Sequence, residues 1–180
     1  IGSGLVGSEM CIRDRYKMEG RKRKSMILTV CLNPCTDVTI EVDSLNIGKI
    51  NHVKNKTLSF TGAALNVAIG VARLHGQSYA TGFMYNENGS LFEQALDREG
   101  VPSVFVWNKG RVRENYKFID NKSMLTEVND VGECISEHKQ DELVDIVGNL
   151  SKTSSVMIIS GSLPPVSYTH LRAHETGAYL

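Results

Sequence analysis

The groups of this 180-residue chain best suited to chemistry are small, polar and placed at the ends of apolar runs. Met26–Leu32 is an apolar run rich in β-formers, and it leads into Asn33-Pro34 and then Asp37. Val156–Ile159 is a second such run, and it leads into Ser160-Gly161-Ser162. Open parallel sheets bind ligands just outside the carboxyl ends of their strands. An aspartate placed there can accept hydrogen bonds from sugar hydroxyls, and glycine beside small hydroxyl side chains lets a backbone approach an anion. Asp37 is equally well read as an Asx residue that stabilises a turn. Thr61-Gly62-Ala63-Ala64, with Asn66 one turn further on, opens an alanine-rich segment. Free N–H groups and the dipole at a helix start favour an anion or a polyhydroxyl ligand. Close helix–sheet packing through small residues is the alternative.

The elements that must hold these groups follow from hydrophobic pattern. Met26–Leu32 suits a strand buried on both faces. Val38–Asp43 alternates as a half-exposed strand does, and Gly48–Phe60 reads as one or two exposed strands. Gly62–Leu74 is apolar over most of its circumference and predicts a buried helix, with Gly76 after His75 as its stop. Ser78–Phe83 predicts a strand, and Leu91–Glu99 a short helix with Leu91, Ala95 and Leu96 inward. Ser103–Trp107, Glu114–Asp120 and Ser123–Val128 are further strands. Glu137–Lys152 is an amphipathic helix with Leu143, Ile146, Val147 and Leu150 on one face, and Val156–Ile159 is another buried strand. Alternating strands and helices imply a three-layer α/β core with a parallel sheet. The polar β segments do not fit that core and predict a separate small sheet over one edge.

Composition narrows the partners. Lysine plus arginine and aspartate plus glutamate number 20 each, which argues against a nucleic-acid-binding field. The short basic run Arg21–Lys24 reads as a solvated leader. No apolar stretch approaches the ~18 residues of a membrane span. With no secretory signal, the cytoplasm is the expected location. Cys31, Cys35 and Cys134 read as reduced thiols, and no histidine or second cysteine pair completes a zinc site around them.

Taken together the motifs resemble the ribokinase-like (PfkB) carbohydrate kinases, in the branch of 1-phosphofructokinase, minor 6-phosphofructokinase and tagatose-6-phosphate kinase. Met26–Asp37 is similar to that branch's opening strand and Asn-Pro-x-x-Asp turn. Glu41-Val42-Asp43, Gly48-Lys49-Ile50-Asn51, Thr61–Ala68, Val112-Arg113-Glu114-Asn115, Thr126–Asn129 and Ser160–Pro165 follow in the family's order, so the resemblance covers about 26–165. It implies a ribokinase-like three-layer α/β/α fold with a small β-sheet lid. It implies phosphoryl transfer from ATP, with Mg2+, to fructose 1-phosphate, fructose 6-phosphate or tagatose 6-phosphate. Asp37 would hold sugar hydroxyls, with Gly62 and Asn66 lining the same pocket. Lys49, Arg113 and Ser162 would bind the phosphate already on the substrate, and Asn115 would orient it. Glu127 and Asn129 would reach the nucleotide–metal region through water. The exposed strands would form a lid that excludes water and pairs with the lid of a second subunit in a homodimer.

The sequence departs from the family in two places. Branch members carry Gly-Gly-Lys-Gly or Gly-Gly-Gly-Gly where Thr61-Gly62-Ala63-Ala64 stands, so Ala63 supplies no cation. The Gly-Ala variant also occurs in relatives that phosphorylate plain sugars or nucleosides. The family's Gly-Ala-Gly-Asp segment, with its catalytic aspartate, is not found in the chain, so no catalytic residue is assigned. Pairs from Ile1 with Tyr179 inward to Arg15 with Pro165 all admit reverse-complementary codons, as an inverted DNA repeat would. Leu5–Asp14 and Val166–Thr176 look like translated sequencing adapter. The expectation is therefore adapter-derived sequence at 1–15 and 166–180 around an N-terminal kinase part at 16–165, starting at Met18 or Met26. That part would stop after about half the fold, bind ATP and Mg2+ poorly, be inactive by itself and expose apolar surface along Val156–Ile159. A stand-alone sugar-phosphate-binding module is the non-enzymatic alternative.

Overall fold

The computed structural model describes residues 26–165. The expectations for 1–15, Met18, Arg21–Lys24 and 166–180 lie outside the described residues.

Among the described residues there are eight strands and three helices. They are β1 (Met26–Cys31), β2 (Cys35–Val42), β3 (Val53–Thr61), α1 (Ala63–Arg73), β4 (Gln77–Tyr85), α2 (Ser90–Arg98), β5 (Ser103–Asn108), β6 (Arg113–Ile119), β7 (Leu125–Asn129), α3 (Glu137–Ser151) and β8 (Val156–Ile159). They form two sheets, as the sequence pattern predicts. The body sheet has the order β5-β4-β1-β8, and all its pairings are parallel. The lid sheet has the order β3-β2-β6-β7. There β2 pairs with β6 in parallel, while β3 and β7 run antiparallel at the edges.

The body core lies between β1, β4, β5 and the helices. Leu28, Ala80, Met84 and Val106 are fully enclosed. Ala64 and Ala68 of α1 are also fully enclosed, and their small size lets the helix lie close on β1 and β4. Ser78 Oγ donates to Ala68 O at 2.9 Å, which satisfies a polar group inside that contact. Right-handed crossovers put α1 and α2 on one face of the sheet. The connection through α3 runs back across the sheet and so covers the other face. Gly82 (φ +144°) abuts β1 so closely that a Cβ there would lie 1.8 Å from Cys31 O. The lid is fastened to the body by Phe60 of β3, whose ring meets Phe92 of α2 edge-on at 5.3 Å. Such a pair contributes about 0.5–1.5 kcal/mol beyond its buried area.

Of the one or two exposed strands expected in Gly48–Phe60, one forms, β3, preceded by a turn. Several other expectations are corrected. Only one side of α1 is buried, through Ala64, Leu65 and Ala68. In α2 the buried side chains are Phe92 and Leu96, while Leu91 is exposed, because the phenyl ring is drawn into the contact with Phe60. At the end of α1 it is His75, not Gly76, that takes the left-handed conformation (φ 61°). His75 N–H donates to Ala72 O and Gly76 N–H to Val71 O, each at 2.9 Å, the Schellman pattern. Finally, β8 is the body sheet's edge strand, and Val156, Met157 and Ile159 are exposed rather than buried. The apolar surface expected along that segment is present.

Candidate functional site

The site is built on the alternation of the lid strands. Side chains at every second residue share a face, and the register brings Cys35 beside Arg113, Asp37 beside Asn115 and Thr39 beside Lys117. On the outer strands Thr61 and Ser59 continue the rungs of Cys35 and Asp37. On β7, Asn129 and Glu127 continue those of Asn115 and Lys117. This face is almost wholly polar. The opposite face carries Leu58, Val38, Tyr116 and Val128 on one rung.

Hydrogen bonds tie the polar face into a chain. Lys117 Nζ donates to Asp37 Oδ2 at 2.9 Å. Asn115 Nδ2 donates to Asp37 Oδ1 at 3.3 Å, and Cys35 Sγ lies 3.7 Å from the same oxygen. Arg113 Nη1 donates at 2.8 Å to both Asn115 Oδ1 and Asp130 O. Arg113 Nη2 donates to Ser162 Oγ at 3.1 Å, which links the lid to the loop after β8. Asn33, only 5% exposed, anchors the junction: its Nδ2 donates to Val131 O, Ser162 Oγ and Leu163 O at 3.2–3.3 Å. Gly132 closes over it, since a Cβ there would meet Asn33 Oδ1 at 2.9 Å. Gly161 (φ +111°) approaches Ala63 at the start of α1.

Electrostatics follow from these contacts. Partial burial works to raise the Asp37 carboxyl, but the hydrogen bond and charge of Lys117, with Asn115 and Thr61, outweigh it and hold the group below its ordinary value. The Asp37 hydrogen bond and charge hold the Lys117 ammonium above its own, with Glu127 adding to the effect. Burial pushes the Cys31 thiol up to about 12, reinforced by Cys35, and burial also raises Cys35. Both thiols are protonated at neutral pH, so neither is a nucleophile there.

Of the residues singled out in sequence, Asp37, Arg113, Asn115 and Ser162 are joined directly. Asp37 lies within β2 rather than in a turn. Gly62 precedes α1, where a Cβ would meet the buried Cys31 Sγ at 2.6 Å, so a larger residue there would have to push that thiol aside. Asn66 is exposed on the side of α1 that carries Ala63. Among the described residues no side-chain hydrogen bond joins it to the chain. Lys49 is elsewhere. It sits in the exposed turn between β2 and β3, beyond the end of β2 that lies roughly 16 Å from Asp37. The cation that does reach Asp37 is Lys117, which sequence reasoning passed over although the same alternation places it on the face of Arg113 and Asn115. Glu127 and Asn129 share that face on β7. Among the described residues no group of three His, Cys, Asp or Glu side chains gathers to hold a metal ion.

A partly enclosed carboxylate with neutral hydrogen-bonding neighbours and flanking cations, at the strand tips of an α/β body, can hold a polyhydroxyl ligand that carries an anionic group. The comparison with known proteins agrees: residues 26–173 match the family described as pfkB family carbohydrate kinase. The chain belongs to the pfkB family.

Among pfkB relatives, a 1-phosphofructokinase of Vibrio cholerae is 29% identical over 138 residues, covering 77% of this chain and 44% of the relative. A tagatose-6-phosphate kinase of Staphylococcus epidermidis is 29% identical over 139 residues, again 77% and 44%. A solved structure described as a possible 1-phosphofructokinase from Thermotoga maritima is similar with a TM-score of 0.69 at 28% identity. It covers 78% of this chain and 46% of that one. The chain thus spans about half the length of the curated relatives it matches. The ribokinase-like three-layer body with its β-sheet lid is the fold expected from the sequence. No helix among the described residues is long and apolar enough to cross a membrane.

Proposed function

We propose that this chain is the sugar-binding part of an ATP-dependent ketose-phosphate kinase. Its substrate would be fructose 1-phosphate, fructose 6-phosphate or tagatose 6-phosphate. The observation that carries the reading is the unbroken hydrogen-bonded chain Lys117–Asp37–Asn115–Arg113–Ser162, which sets one carboxylate between two cations where the strands end. Asp37 accepts from sugar hydroxyls, Asn115 orients it, and the cations meet the substrate's phosphate. Gly62 and Asn66 line the side toward α1. The related kinases named above act on sugar phosphates according to their descriptions, and this supports the same substrate class.

On this reading the base for the transfer and the nucleotide cleft are supplied by the remainder of the parent. Phosphoryl transfer rests on positioning and charge stabilisation, so on this reading the chain binds the acceptor sugar and does not transfer phosphate. ATP, Mg2+ and the catalytic aspartate belong to the remainder of the parent. Residues 16–165 are taken as the kinase part, with 1–15 and 166–180 as additions to it. The apolar lid face, with Leu58 and Val128 exposed, supports pairing of two lids in a homodimer.

The test is to express the full open reading frame that contains this chain and assay ATP-dependent phosphorylation of the three ketose phosphates, fructose and a nucleoside. Turnover of one ketose phosphate, lost in Asp37→Ala and Arg113→Ala variants that keep their fold, is expected. Turnover confined to fructose or the nucleoside overturns the reading.

A further inference from the structure

We propose that Lys117 sets the substrate class of this site: it releases Asp37 to the sugar and takes the substrate's phosphate in exchange, so that phosphorylated ketoses bind and plain ketoses are rejected. The inference rests on the sugar-binding reading above and adds to it the residue that selects the ligand.

The geometry leaves Lys117 as the exchangeable partner. Asp37 Oδ1 is engaged by Asn115 and Cys35, and Asp37 Oδ2 by Lys117. Asn115 cannot leave easily, because Arg113 grips its other end at 2.8 Å. Cys35 is buried in the root of β2. Lys117 has a long flexible stem, and its side chain is 32% exposed against 18% for Asp37. A sugar hydroxyl arriving at Asp37 therefore competes with the ammonium.

The displaced ammonium then needs a counter-charge. Taking a partly enclosed cation off its carboxylate without replacement is unfavourable. The nearest internal substitute is Glu127, which pairs with Lys117 across β6 and β7. Glu127 lies on an exposed strand, where an ion pair contributes at most about 1 kcal/mol. A phosphate offers a stronger partner, with roughly two negative charges and several acceptor oxygens. A plain ketose offers none, so it breaks the ion pair and gives nothing back. The other cations do not replace Lys117 in this role. Arg113 stays anchored by Asn115, Asp130 and Ser162 and can meet the phosphate with its remaining Nη2 proton, but it does not block Asp37 and so gains nothing from an exchange; Lys49 lies in the distant hairpin turn, and Ala63 carries no charge. Lys117 thus supplies the discrimination that the first glycine signature lacks.

The experiment uses the protein from the full open reading frame that contains this chain. Calorimetric titrations with fructose 6-phosphate, fructose 1-phosphate, tagatose 6-phosphate and fructose are compared for the unaltered protein, Lys117→Gln and Lys117→Arg. In Lys117→Gln the best phosphorylated ligand is expected to weaken by roughly tenfold or more, while fructose binds more tightly. In Lys117→Arg, which retains the charge, the preference for the phosphorylated ligand persists. A structural role alone would move both kinds of ligand in the same direction, and that result overturns the proposal. So does a Lys117→Gln protein whose preference is unchanged, in which case sugar-phosphate binding stands and only the role of Lys117 falls. An unaltered protein that binds none of the four ligands overturns the sugar-binding reading, and this inference with it.

Discussion

Replacing Gly82 by alanine should be ruinous, and the same change at Gly148 should be beneficial. A Cβ on Gly82 would lie 1.8 Å from Cys31 O and 2.6 Å from Cys31 C. Carbon and oxygen not bonded to each other need about 3.3 Å, so β4 would have to retreat by roughly 1.5 Å from β1. Neighbouring strands sit about 4.8 Å apart with ladder bonds near 2.9 Å, and a retreat of that size breaks the bonds around Cys31. The strain of φ +144° in a residue with a side chain adds to the loss. The expected destabilisation exceeds about 4 kcal/mol, most of the stability of an ordinary domain. Gly148 lies within α3, is exposed, and has nothing within 4 Å of its added Cβ. Alanine there should stabilise by about 0.5–1 kcal/mol through the unfolded chain's lost freedom. Urea unfolding can be followed through Trp107, the sole tryptophan, which packs partly buried against the core. Gly148→Ala should raise the midpoint by roughly 0.3–0.5 M, and Gly82→Ala should leave no cooperative transition. A Gly82→Ala protein with its midpoint within about 0.5 M of the parent would refute the close contact.

Two further outcomes follow from the site. Asp37 is held below its ordinary value, so its contribution to stability is fully present above about pH 4, the range of the unfolded carboxyl, and is lost as pH falls through the lower folded value. The stability gap between the parent and Asp37→Asn should be constant near neutrality and close in acid. A gap that widens on acidification would contradict the ion pair with Lys117. Asn33→Ala should lose about 2 kcal/mol in urea titrations, because its amide protons serve carbonyls from two distant segments. Asn33→Asp, similar in shape but without the donors, should lose at least as much, and a silent aspartate variant would show that Asn33 does not donate.

Much of this was legible in the residues because strand geometry is periodic. Arg113 and Asn115 stand two apart on a strand, so a spacing in sequence became a shared face in space. Lys117 follows by the same step, and only attention to a shorter motif hid it. Lys49 shows the opposite case: a residue in a hairpin turn can lie far from the strand's root, and the sequence does not say how far the hairpin reaches from the site. Val156–Ile159 is apolar enough to be interior, but burial needs a neighbour on each side, and a run of apolar letters cannot report whether one is there. His75 broke the expectation that glycine takes the left-handed position, since the hydrogen-bond pattern fixes the place and any residue standing there must adopt it. Leu91 and Phe92 differ by one helical step, and the choice between them was made by Phe60, more than thirty positions earlier.

Asp37, Asn115, Arg113 and Lys117 all belong to the lid sheet, whereas Ser162 and Gly62 belong to the body. On the proposed reading, the part of the molecule that would shut over a bound sugar is also the part that would recognise it. Any tilt of that sheet carries the recognising groups along and stretches the Arg113–Ser162 link, so grip and enclosure rise and fall as one quantity. Selection acting on the short Asn33-Pro34 joint at its base would tune affinity and shielding together and could not improve one at the expense of the other.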